Sequence, residues 1–294
     1  MKILIIGGNG FLGFHLVKKF YQKKYTITVL DKSLNNLDEF KKIKKIKSNF
    51  TNIKNLKKAV KNQDYVFHLA GISDLETAIS HPMNVIKYNI EGTAKILQLC
   101  KIYKVKRFIY ASSIYAISQE GSFYRFSKRA AEDFIIEYSK NYNIDYTILR
   151  YGSLYGPKSP KTNSVRQVIE QALKKRKIYY YGSKKNKRKY IYIEDATDCS
   201  LLILKKEFKN MIINLTGQKK IGVSKLLKLT ADKLKIKDKI IYQNRKIIGH
   251  YISEPKKIKI INGKNFFKNN PTDLNNGLKR TINYYRNLID EKKK

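Results

Sequence analysis

The sequence predicts an α/β fold built on a doubly wound parallel sheet, and three observations support this prediction. Short apolar runs alternate with longer helical patterns through the first half of the chain. A glycine-rich turn separates the first apolar run from the first helical pattern. The hydrophobic content of 42% is enough for a large buried core. Strands that alternate with helices are joined by right-handed crossovers, and this makes neighbouring strands parallel.

Each apolar run has the length of a buried strand, and each intervening stretch is long enough for a crossover helix. The predicted strands are Ile3–Ile6, Thr26–Leu30, Tyr65–Leu69, Phe108–Ala111 and Tyr146–Leu149, with a weaker strand at Lys44–Lys47. The predicted helices of this region include Phe11–Tyr21, Asn84–Tyr103 and Tyr124–Tyr142.

The pattern becomes less regular after Arg150, where several glycines and prolines predict a loop. Beyond it we expect a helix at Val165–Lys175, a hairpin-like stretch ending at Lys189, strands at Tyr190–Ile193 and Met211–Leu215 on either side of a helix, and a final helix at Asp273–Asn287. This predicts a sheet domain at residues 1–153, to which strands and a helix from about residues 190–215 return, and a smaller, interleaved α/β domain at residues 154–294.

The charge balance is strongly basic, because 62 Lys and Arg residues oppose 23 Asp and Glu residues and leave a net charge of +39. Such a balance can indicate a nucleic-acid partner or an anionic membrane. The lysines, however, are spread over the whole chain, and Arg, the better residue for phosphate forks and base edges, is scarce. The composition is typical of a lysine-biased proteome, and we expect no nucleic-acid partner.

The cysteine and histidine contents exclude two classes of site. Two cysteines, Cys100 and Cys199, do not make a disulfide framework, and four histidines without cysteine partners give no metal-ligand pattern. No apolar run approaches the roughly 18 residues that would cross a bilayer, and the apolar start is too short for a signal peptide. We expect a cytoplasmic protein without metal or membrane insertion.

The turn after the first strand has glycines at Gly7, Gly10 and Gly13. In a strand–turn–helix context, the first glycine allows the tight turn, the second lets a pyrophosphate approach the backbone, and the third lets the helix pack close to the strand. The N-terminus of the helix then offers free N–H groups to the phosphates. The sequence therefore predicts a Rossmann-type, dinucleotide-binding sheet.

Asp31 ends the second strand, where a carboxylate can accept hydrogen bonds from both ribose hydroxyls of an adenosine. The same carboxylate repels a 2′-phosphate, so the cofactor is expected to be NAD. Lys32 could soften that preference for NAD over NADP.

Tyr124 and Lys128 are four residues apart and share one face of a predicted helix. A nearby ammonium group lowers the pKa of a phenol and makes it a usable proton shuttle. The spacing alone is weak evidence in a lysine-rich chain, since Tyr180, Tyr181 and Tyr242 also precede a lysine by four residues.

The surroundings of Tyr124 separate it from the other three tyrosines. It opens a long helix directly after a strand that ends in Ser112 and Ser113. A serine at the carboxyl end of a parallel strand faces the crevice in which such sheets bind ligands. Ser113 is therefore a candidate to orient a substrate hydroxyl while Tyr124 moves its proton.

With these motifs the chain resembles the extended short-chain dehydrogenase/reductase family, the NAD-dependent epimerase/dehydratase group, and most of all its UDP-glucose 4-epimerase-like branch. The resemblance runs nearly from end to end. It is carried by Gly7–Gly13, His68–Gly71, Asn89–Thr93, Ser112–Ser113, Tyr124 with Lys128, Leu149–Pro157, Arg188–Asp195 and Pro271–Arg286.

The resemblance implies roles for individual positions. The residues implied to bind NAD are Gly7, Gly10, Phe11, Leu12, Gly13, Asp31, Lys32, Asn49, Phe50, Leu69, Ala70, Gly71, Asn89, Tyr124, Lys128 and Tyr151. The catalytic residues are implied to be Ser113, Tyr124 and Lys128, and the substrate-binding residues Ser113, Ser153, Arg188 and Arg245. A homodimer is implied through residues 84–103 and 124–142.

Several positions depart from the family pattern. The segment between Ser113 and Tyr124 is much shorter than usual, so a loop that covers the substrate is missing. Ser153 replaces an Asn that contacts the diphosphate, and Asn49 replaces an Asp that reads the adenine amine. These departures leave the identity of the sugar nucleotide open.

The residues after Ser113 are Ile114 and Tyr115, where relatives that dehydrate or decarboxylate carry an acid. We therefore expect an NAD-dependent nucleotide-sugar epimerase that acts at C4 of a UDP-sugar. The alternatives are a nucleotide-sugar reductase, dehydrogenase or dehydratase, and, in another class, a nucleic-acid-binding or regulatory protein on the same fold.

Four further residues have ordinary structural interpretations. Glu194 and Asp195 resemble a carboxylate pair, but are expected to start a helix as an N-cap. Arg150 and Tyr151 are expected either to shape the nicotinamide pocket or simply to order the loop.

Overall fold

The computed structural model describes residues 1–237, 239–243 and 263–291. The strands are β1 (Lys2–Ile6), β2 (Thr26–Asp31), β3 (Lys44–Lys47), β4 (Tyr65–His68), β5 (Arg107–Ser113), β6 (Asp145–Tyr151), β7 (Ser153–Tyr155), β8 (Ile178–Tyr181), β9 (Lys187–Arg188), β10 (Tyr190–Tyr192), β11 (Met211–Leu215), β12 (Ile221–Gly222), β13 (Ile240–Gln243) and β14 (Gly263–Asn265). The α-helices are α1 (Phe11–Gln22), α2 (Ile53–Val60), α3 (Leu75–Ser80), α4 (Pro82–Val85), α5 (Gly92–Ile102), α6 (Ser122–Tyr142), α7 (Ser164–Lys175), α8 (Ile193–Leu202), α9 (Val223–Lys233) and α10 (Leu274–Asp290).

The predicted doubly wound parallel sheet is confirmed. Its eight strands lie in the order β14-β11-β6-β5-β4-β1-β2-β3, and every neighbouring pair is parallel. All six strands predicted before Arg150 are present in this sheet. The reversal of strand order at β1 places a crevice above the carboxyl ends of β1 and β4.

Two apolar cores cover the two faces of the sheet. One packs α1 and α8 against residues such as Ile3, Val29 and Leu149. The other packs α2, α5 and α6 against residues such as Leu4, Val66 and Phe108. Successive residues of β1 thus point to opposite cores, as the alternation of a strand that is buried on both faces requires.

A third core lies outside the large sheet and joins α7, α9 and α10 around buried Tyr155, Ile169 and Leu227. Around it lie three two-stranded pairs, β10 with β7, β12 with β9, and β13 with β8. This part of the chain forms the smaller α/β unit that follows Arg150.

Several predictions for the second half of the chain need correction. The stretch before Lys189 is not a hairpin, because β8 pairs in parallel with the distant β13, and β9 pairs with β12. The strand predicted at Tyr190–Ile193 ends one residue earlier and pairs with β7, so it does not return to the large sheet. Of residues 190–215, α8 packs against the large sheet and β11 extends it by pairing with β6. The later strand β14 pairs with β11 and forms the edge of the sheet.

The helix predicted at Asn84–Tyr103 is one helical segment with a change of winding. It begins as α4, continues as a π-helical turn at Ile86–Glu91 and ends as α5. The wider turn carries Asn89, whose side chain is buried and faces the neighbouring α6. Such π turns often occur at functional sites.

Candidate functional site

The glycine turn lies at the carboxyl end of β1, at the point where the strand order reverses. Gly7 has a φ of 89°, a left-handed conformation that favours glycine. A Cβ on Gly13 would overlap the carbonyl oxygen of Gly7, so any larger residue would push α1 off the strand. The turn therefore holds the start of α1 directly above β1.

The start of α1 fits the pyrophosphate of a dinucleotide. Gly10 is the N-cap residue and is exposed, and no side chain caps the helix. There is also no acidic residue in the first turn. Phe11 and Leu12 supply backbone N–H groups at this end, which is how helix N-termini bind phosphate. The group of residues that the sequence assigned to the phosphates is thus brought together.

Asp31 lies beside this turn at the end of β2. One carboxylate oxygen accepts a hydrogen bond of 2.9 Å from the backbone N–H of Asn9, and the other accepts one of 3.2 Å from Ser33. The half-buried carboxylate is thereby fixed next to the glycine turn, where the ribose of a dinucleotide would lie. Lys32, the next residue, is exposed.

The two residues assigned to the adenine end of NAD, Asn49 and Phe50, offer different groups to a ligand. Asn49 is exposed, and its side-chain oxygen accepts hydrogen bonds of 3.0 Å from the N–H and the hydroxyl of Thr51. The ring of Phe50 is buried between His68 and Tyr88, so only its backbone is available to a ligand.

The loop after β4 forms the opposite wall of the crevice. The N–H groups of Leu69 and Ala70 donate hydrogen bonds of 2.9 and 3.1 Å to the carbonyl of Ile6, and Gly71 follows in an exposed position. Asn89 supports this loop, since its side chain binds both the N–H and the carbonyl group of Ile72. The predicted loop and the π turn thus act as one unit.

Ser113 and Tyr124 meet at the carboxyl end of β5. Both side chains are buried, and the Ser113 hydroxyl lies close enough to the phenol of Tyr124 to lower its pKa. The ammonium of Lys128 lies one helical turn further along α6, 5.8 Å from the centre of the Tyr124 ring, and donates a hydrogen bond of 2.8 Å to the carbonyl of Ala111. The three residues that the sequence singled out lie together.

The expected lowering of the phenol pKa is wrong for this structure. Burial raises the pKa of Tyr124 to about 12, and the hydrogen bond from Ser113 only partly opposes that increase. Burial also lowers the pKa of Lys128 to about 8, while the charge of Glu132 opposes the decrease. Desolvation is the largest cause of both shifts because the whole group is shielded from water.

The short segment between Ser113 and Tyr124 is held closely against α6. The guanidinium of Arg125 donates hydrogen bonds of 3.0 and 2.7 Å to the carbonyls of Ser118 and Gln119. Tyr115 lies edge-on to Tyr124, with ring centres 6.0 Å apart. The residues that follow Ser113 are therefore aromatic and aliphatic, with no carboxylate directly after the serine.

The sequence analysis missed a buried ion pair behind Lys128. Glu132 on α6 accepts hydrogen bonds from the guanidinium of Arg150 on β6, at 2.9 Å from Nε and 2.5 Å from Nη2. The hydroxyl of Ser112 donates a third hydrogen bond to this carboxylate, over 2.5 Å. The spacing of Tyr124, Lys128 and Glu132, four residues apart, places Glu132 on the same helix face but does not point to Arg150.

Tyr151 does not line the crevice, contrary to the sequence assignment. Its ring lies in the core between β6 and α8, and its hydroxyl is hydrogen-bonded to Ser200 over 2.7 Å. Arg150 is likewise committed to the buried ion pair. Both residues are thus held by the interior and not by the nicotinamide pocket.

The substrate-binding assignments are only partly assembled. Ser153 begins β7 and pairs with Tyr190 of β10. Tyr190 lies two residues after Arg188 in the chain. Arg188 is half-buried on β9, next to β12. Arg245 lies outside the described residues.

Asp195 does not cap α8, so the predicted N-cap is wrong. Tyr192 occupies the N-cap position, and Asp195 is buried inside the first turn. Its carboxylate accepts hydrogen bonds of 2.7 Å from the N–H of Thr272 and 2.8 Å from the ammonium of Lys268. The residue fastens the segment before α10 to α8.

The residues that the structure describes, 1–237, 239–243 and 263–291, contain neither a metal cluster nor a membrane-spanning helix. In those ranges no three or more His, Cys, Asp or Glu side chains are grouped to hold a metal ion. Of the helices described, none is both long and apolar enough to cross a lipid bilayer.

A family comparison agrees with this geometry. Residues 3–216 match the model of the NAD dependent epimerase/dehydratase family, a range that contains the glycine turn, Asp31 and the Ser113, Tyr124 and Lys128 group. The chain belongs to the NAD dependent epimerase/dehydratase family. The cofactor expected from Gly7–Gly13 and Asp31 is the cofactor of this family.

Individual relatives within the family carry different activities. A protein of Methanocaldococcus jannaschii, provisionally named a UDP-glucose 4-epimerase, is 26% identical over 97% of this chain and 98% of its own length. A dTDP-D-glucose 4,6-dehydratase of Dictyostelium discoideum is 31% identical over 70% of this chain and 56% of its own. The solved UDP-glucose 4-epimerase of Thermotoga maritima, with UDP-glucose, has a TM-score of 0.84 at 24% identity and covers 98% of this chain and 100% of its own.

Proposed function

We propose that the protein is an NAD-dependent nucleotide-sugar epimerase that acts at C4 of a UDP-sugar. The observation that carries the proposal is the buried group of Ser113 and Tyr124, with Lys128 behind it, at the edge of the sheet that also carries the glycine turn. The similarity to a provisionally named UDP-glucose 4-epimerase over nearly the full length of both chains supports the substrate class.

The chemistry assigned to these side chains is a proton transfer at the sugar. Tyr124, in its ionised form, takes the proton from the 4-hydroxyl of the sugar, and Ser113 holds that hydroxyl through its own hydrogen bond. NAD, when bound, supplies the acceptor for the C4 hydride and the source of its return to the other face of the ketone. Arg188 neutralises the diphosphate of the substrate through charge-assisted hydrogen bonds.

The residues after Ser113 favour epimerisation over elimination of water. A dehydratase needs an acid that protonates a leaving hydroxyl, and Ile114 and Tyr115 offer none. The carboxylate of Glu132 is engaged by Arg150 and Ser112 and is almost fully buried, with 1% of its surface exposed. Hydride transfer with recycling of the cofactor requires no such acid.

The test is to follow UDP-glucose and UDP-galactose separately by proton NMR in the presence of the purified protein. The proposal expects the same mixture of C4 epimers from either side and no accumulation of free NADH. Mass spectrometry of the nucleotides that co-purify with the protein identifies the cofactor and the sugar. Net formation of NADH, or a 4-keto product, contradicts the proposal.

The second candidate is a dehydratase or a one-way reductase. The 31% identity to a 4,6-dehydratase favours the dehydratase of these two. With dTDP-glucose or UDP-glucose a dehydratase forms a 4-keto-6-deoxy sugar, whereas a reductase or dehydrogenase consumes or releases one reduced cofactor per turnover. The same NMR experiment separates the three products.

A nucleic-acid-binding or regulatory protein on this fold is the candidate from another class, and the net charge of +39 is its support. Filter binding of RNA and DNA across a salt series tests it, since a nucleic-acid-binding protein shows a steep salt dependence. We infer that the protein has no nucleic-acid partner, so this test should give no tight binding near physiological salt. We also infer a cytoplasmic location, which the free and buried Cys100 and Cys199 support.

We further propose a homodimer through residues 84–103 and 124–142. Large apolar side chains of these two neighbouring segments are unusually exposed, including Phe126 at 61%, Ile102 at 55% and Ile86 at 49%. Phe123, Phe126 and Phe134 form one stripe along α6. A second copy of the chain, which carries the same stripe, fits a two-fold interface in which like surfaces meet.

A further inference from the structure

Asn9 lies in the glycine turn, directly before Gly10, and all four of its hydrogen-bonding groups are bound to the chain that follows β2. Its backbone N–H donates a hydrogen bond of 2.9 Å to the carboxylate of Asp31. Its side-chain oxygen accepts one of 2.9 Å from the N–H of Asn36, and its carbonyl accepts one of 3.1 Å from the Asn36 amide. Its own amide donates one of 3.0 Å to the side-chain oxygen of Asn35. A residue at the pyrophosphate end of the site thus holds the chain at the ribose end.

The orientation of the Asn9 amide is determined by its partners. The backbone N–H of Asn36 can only donate, so the side-chain oxygen of Asn9 faces it and the amide nitrogen faces Asn35. The hydroxyl of Ser33 donates a hydrogen bond of 2.8 Å to the same oxygen of Asn35. The position therefore needs a donor and an acceptor at the end of one short side chain. Asn9→Asp would keep the acceptor for Asn36 but lose the donor to Asn35.

Residues 32–36, which we call the ribose loop, leave the end of β2 beside the crevice. In the part of the chain that the structure describes, every hydrogen bond of a side chain that joins this loop to another segment ends on Asn9 or Asp31. Further along the connection, Leu37 and Phe40 are buried in the core that packs α1 on the sheet. The connection is thus anchored by apolar contacts after the loop, and by Asn9 and Asp31 within it.

The same hydrogen bonds fix the carboxylate of Asp31. One of its oxygens accepts from the N–H of Asn9 over 2.9 Å, and the other accepts from the N–H of Ser33 over 3.2 Å. An ionised carboxylate has roughly four acceptor positions, so acceptor capacity remains for the two ribose hydroxyls of an adenosine. Because Ser33 is bound to Asn35, and Asn35 to Asn9, the Asn9 side chain also holds one of the two donors that orient the carboxylate.

We propose that Asn9 is a positioning residue that binds the ribose loop to the glycine turn and so forms the adenosine half of the NAD site before the cofactor arrives. A loop that is already ordered does not have to be ordered at the moment of binding, and this increases the affinity. The side chain of Asn9 acts through Ser33 and Asp31, since its own polar atoms are taken up by the loop. The proposal rests on NAD as the cofactor and is independent of the reaction assigned to the site.

The first measurement is the calorimetric dissociation constant of NAD, and of ADP-ribose, which lacks the nicotinamide, for the wild type and three variants of the full chain. Asn9→Ala and Asn35→Ala should each weaken both ligands by the same factor, about tenfold, as expected when hydrogen bonds that order a binding loop are lost. The double variant should bind as Asn9→Ala does, because the two changes remove the same contact. The backbone of Asn9 has no positive φ, so alanine fits it without strain.

The second measurement is hydrogen exchange of the peptide that contains the ribose loop. Without ligand, this peptide should exchange faster in Asn9→Ala than in the wild type, and saturating NAD should restore its protection. Asn163→Ala is the matched control, because the side chain of Asn163 also accepts from a backbone N–H, that of Arg166, and donates to a distant carbonyl, that of Leu154. This control should lower the thermal midpoint without changing the exchange of the ribose loop or the affinity for NAD.

Several results would overturn the proposal. One is an unchanged NAD affinity in Asn9→Ala, and another is an equal loss of affinity in Asn163→Ala, which would show that the effect comes from general destabilisation. Effects of Asn9→Ala and Asn35→Ala that add in full in the double variant would also overturn it, because the two residues would then act separately. If Asn9→Ala fails to fold, Asn35→Ala decides, since it leaves the glycine turn intact, and unchanged affinity and exchange in that variant would reject the role of Asn9.

Discussion

The ammonium of Lys128 donates a hydrogen bond of 2.8 Å to the carbonyl oxygen of Ala111, two residues before Ser113. The lysine therefore anchors the end of β5 as well as facing Tyr124. Because Ala111 and Ser112 are held by Lys128 and Glu132 of α6, the position of the neighbouring Ser113 hydroxyl depends on the helix that also carries the phenol. In the proposed mechanism, the proton donor and acceptor at the sugar therefore belong to one unit.

The first prediction concerns the phenol. Tyr124→Phe should lower kcat by ~10²–10⁴-fold, the usual contribution of a positioned acid–base group, while NAD binding measured by calorimetry changes little. Tyr181→Phe is the matched control, because Tyr181 also precedes a lysine by four residues but is 41% exposed on β8. Turnover near the wild-type rate in Tyr124→Phe would remove this residue from the mechanism.

The second prediction concerns the choice of dinucleotide. Asp31→Ala should weaken NAD binding and reduce the preference over NADP, because the carboxylate that meets the ribose hydroxyls and repels a 2′-phosphate is lost. Asp31→Asn separates charge from geometry, since its amide oxygen can still accept from the N–H of Asn9. The measurement is the ratio of the two dissociation constants by fluorescence titration. An unchanged ratio in Asp31→Ala contradicts the assignment.

The regular part of the fold could be predicted because its signals are local. Apolar runs bounded by polar residues marked each strand of the sheet before Arg150, and Lys44–Lys47 and Met211–Leu215 have the predicted bounds. The pairings after Arg150 could not be predicted, since short strands such as β8 and β13 meet only through distant segments packed on a common core.

The candidate site shows the same division. Ser113, Tyr124 and Lys128 could be found from their spacing and context, because a strand end and a helix start bring them together. The ion pair of Glu132 and Arg150 joins a helix to a strand that follows it, so neither residue had a local pattern that required the other. The pKa of Tyr124 could not be predicted either, because it depends on the depth of burial.

The third prediction concerns the packing of α1 on β1. Gly13→Ala should abolish dinucleotide binding and lower the thermal midpoint, because the added Cβ overlaps the carbonyl of Gly7. Gly222→Ala is the control, as nothing lies within 4 Å of its added Cβ and the backbone there is extended. That variant should leave stability unchanged or raise it by up to ~1 kcal/mol. Equal thermal midpoints for the two variants would contradict the packing argument.

The fourth prediction concerns stability in acid. Burial lowers the pKa of His15 to about 4, although the hydrogen bond of 3.0 Å to the carbonyl of Pro157 opposes the decrease. Between pH 6.5 and 4 the unfolded chain binds a proton at this residue and the folded protein does not. The free energy of unfolding therefore decreases as the pH is lowered from 6.5 to 4, by up to ~1.4 kcal/mol per pH unit.

His15→Gln should remove this contribution while its amide can still donate to Pro157. Chemical denaturation between pH 7 and 4 should show that the variant loses roughly 3 kcal/mol less stability than the wild type over that range. His81→Gln, at an exposed position, serves as the control. A pH dependence that is the same in all three proteins would show that His15 is not the group responsible.

The last prediction concerns the proposed dimer. Phe126→Glu with Phe134→Glu places charges in the middle of the exposed stripe on α6, where a second copy would have to desolvate them. Light scattering after gel filtration should show a dimer for the wild type and a monomer for this variant, with an unchanged far-ultraviolet circular dichroism spectrum. Ile53→Glu, which alters a side chain 47% exposed on α2, away from the stripe, should remain dimeric. A monomeric wild type at micromolar concentration would exclude this interface. A dimeric double variant would exclude it as well, because a stripe of three phenylalanines cannot stay buried once two of them are replaced by charged glutamates.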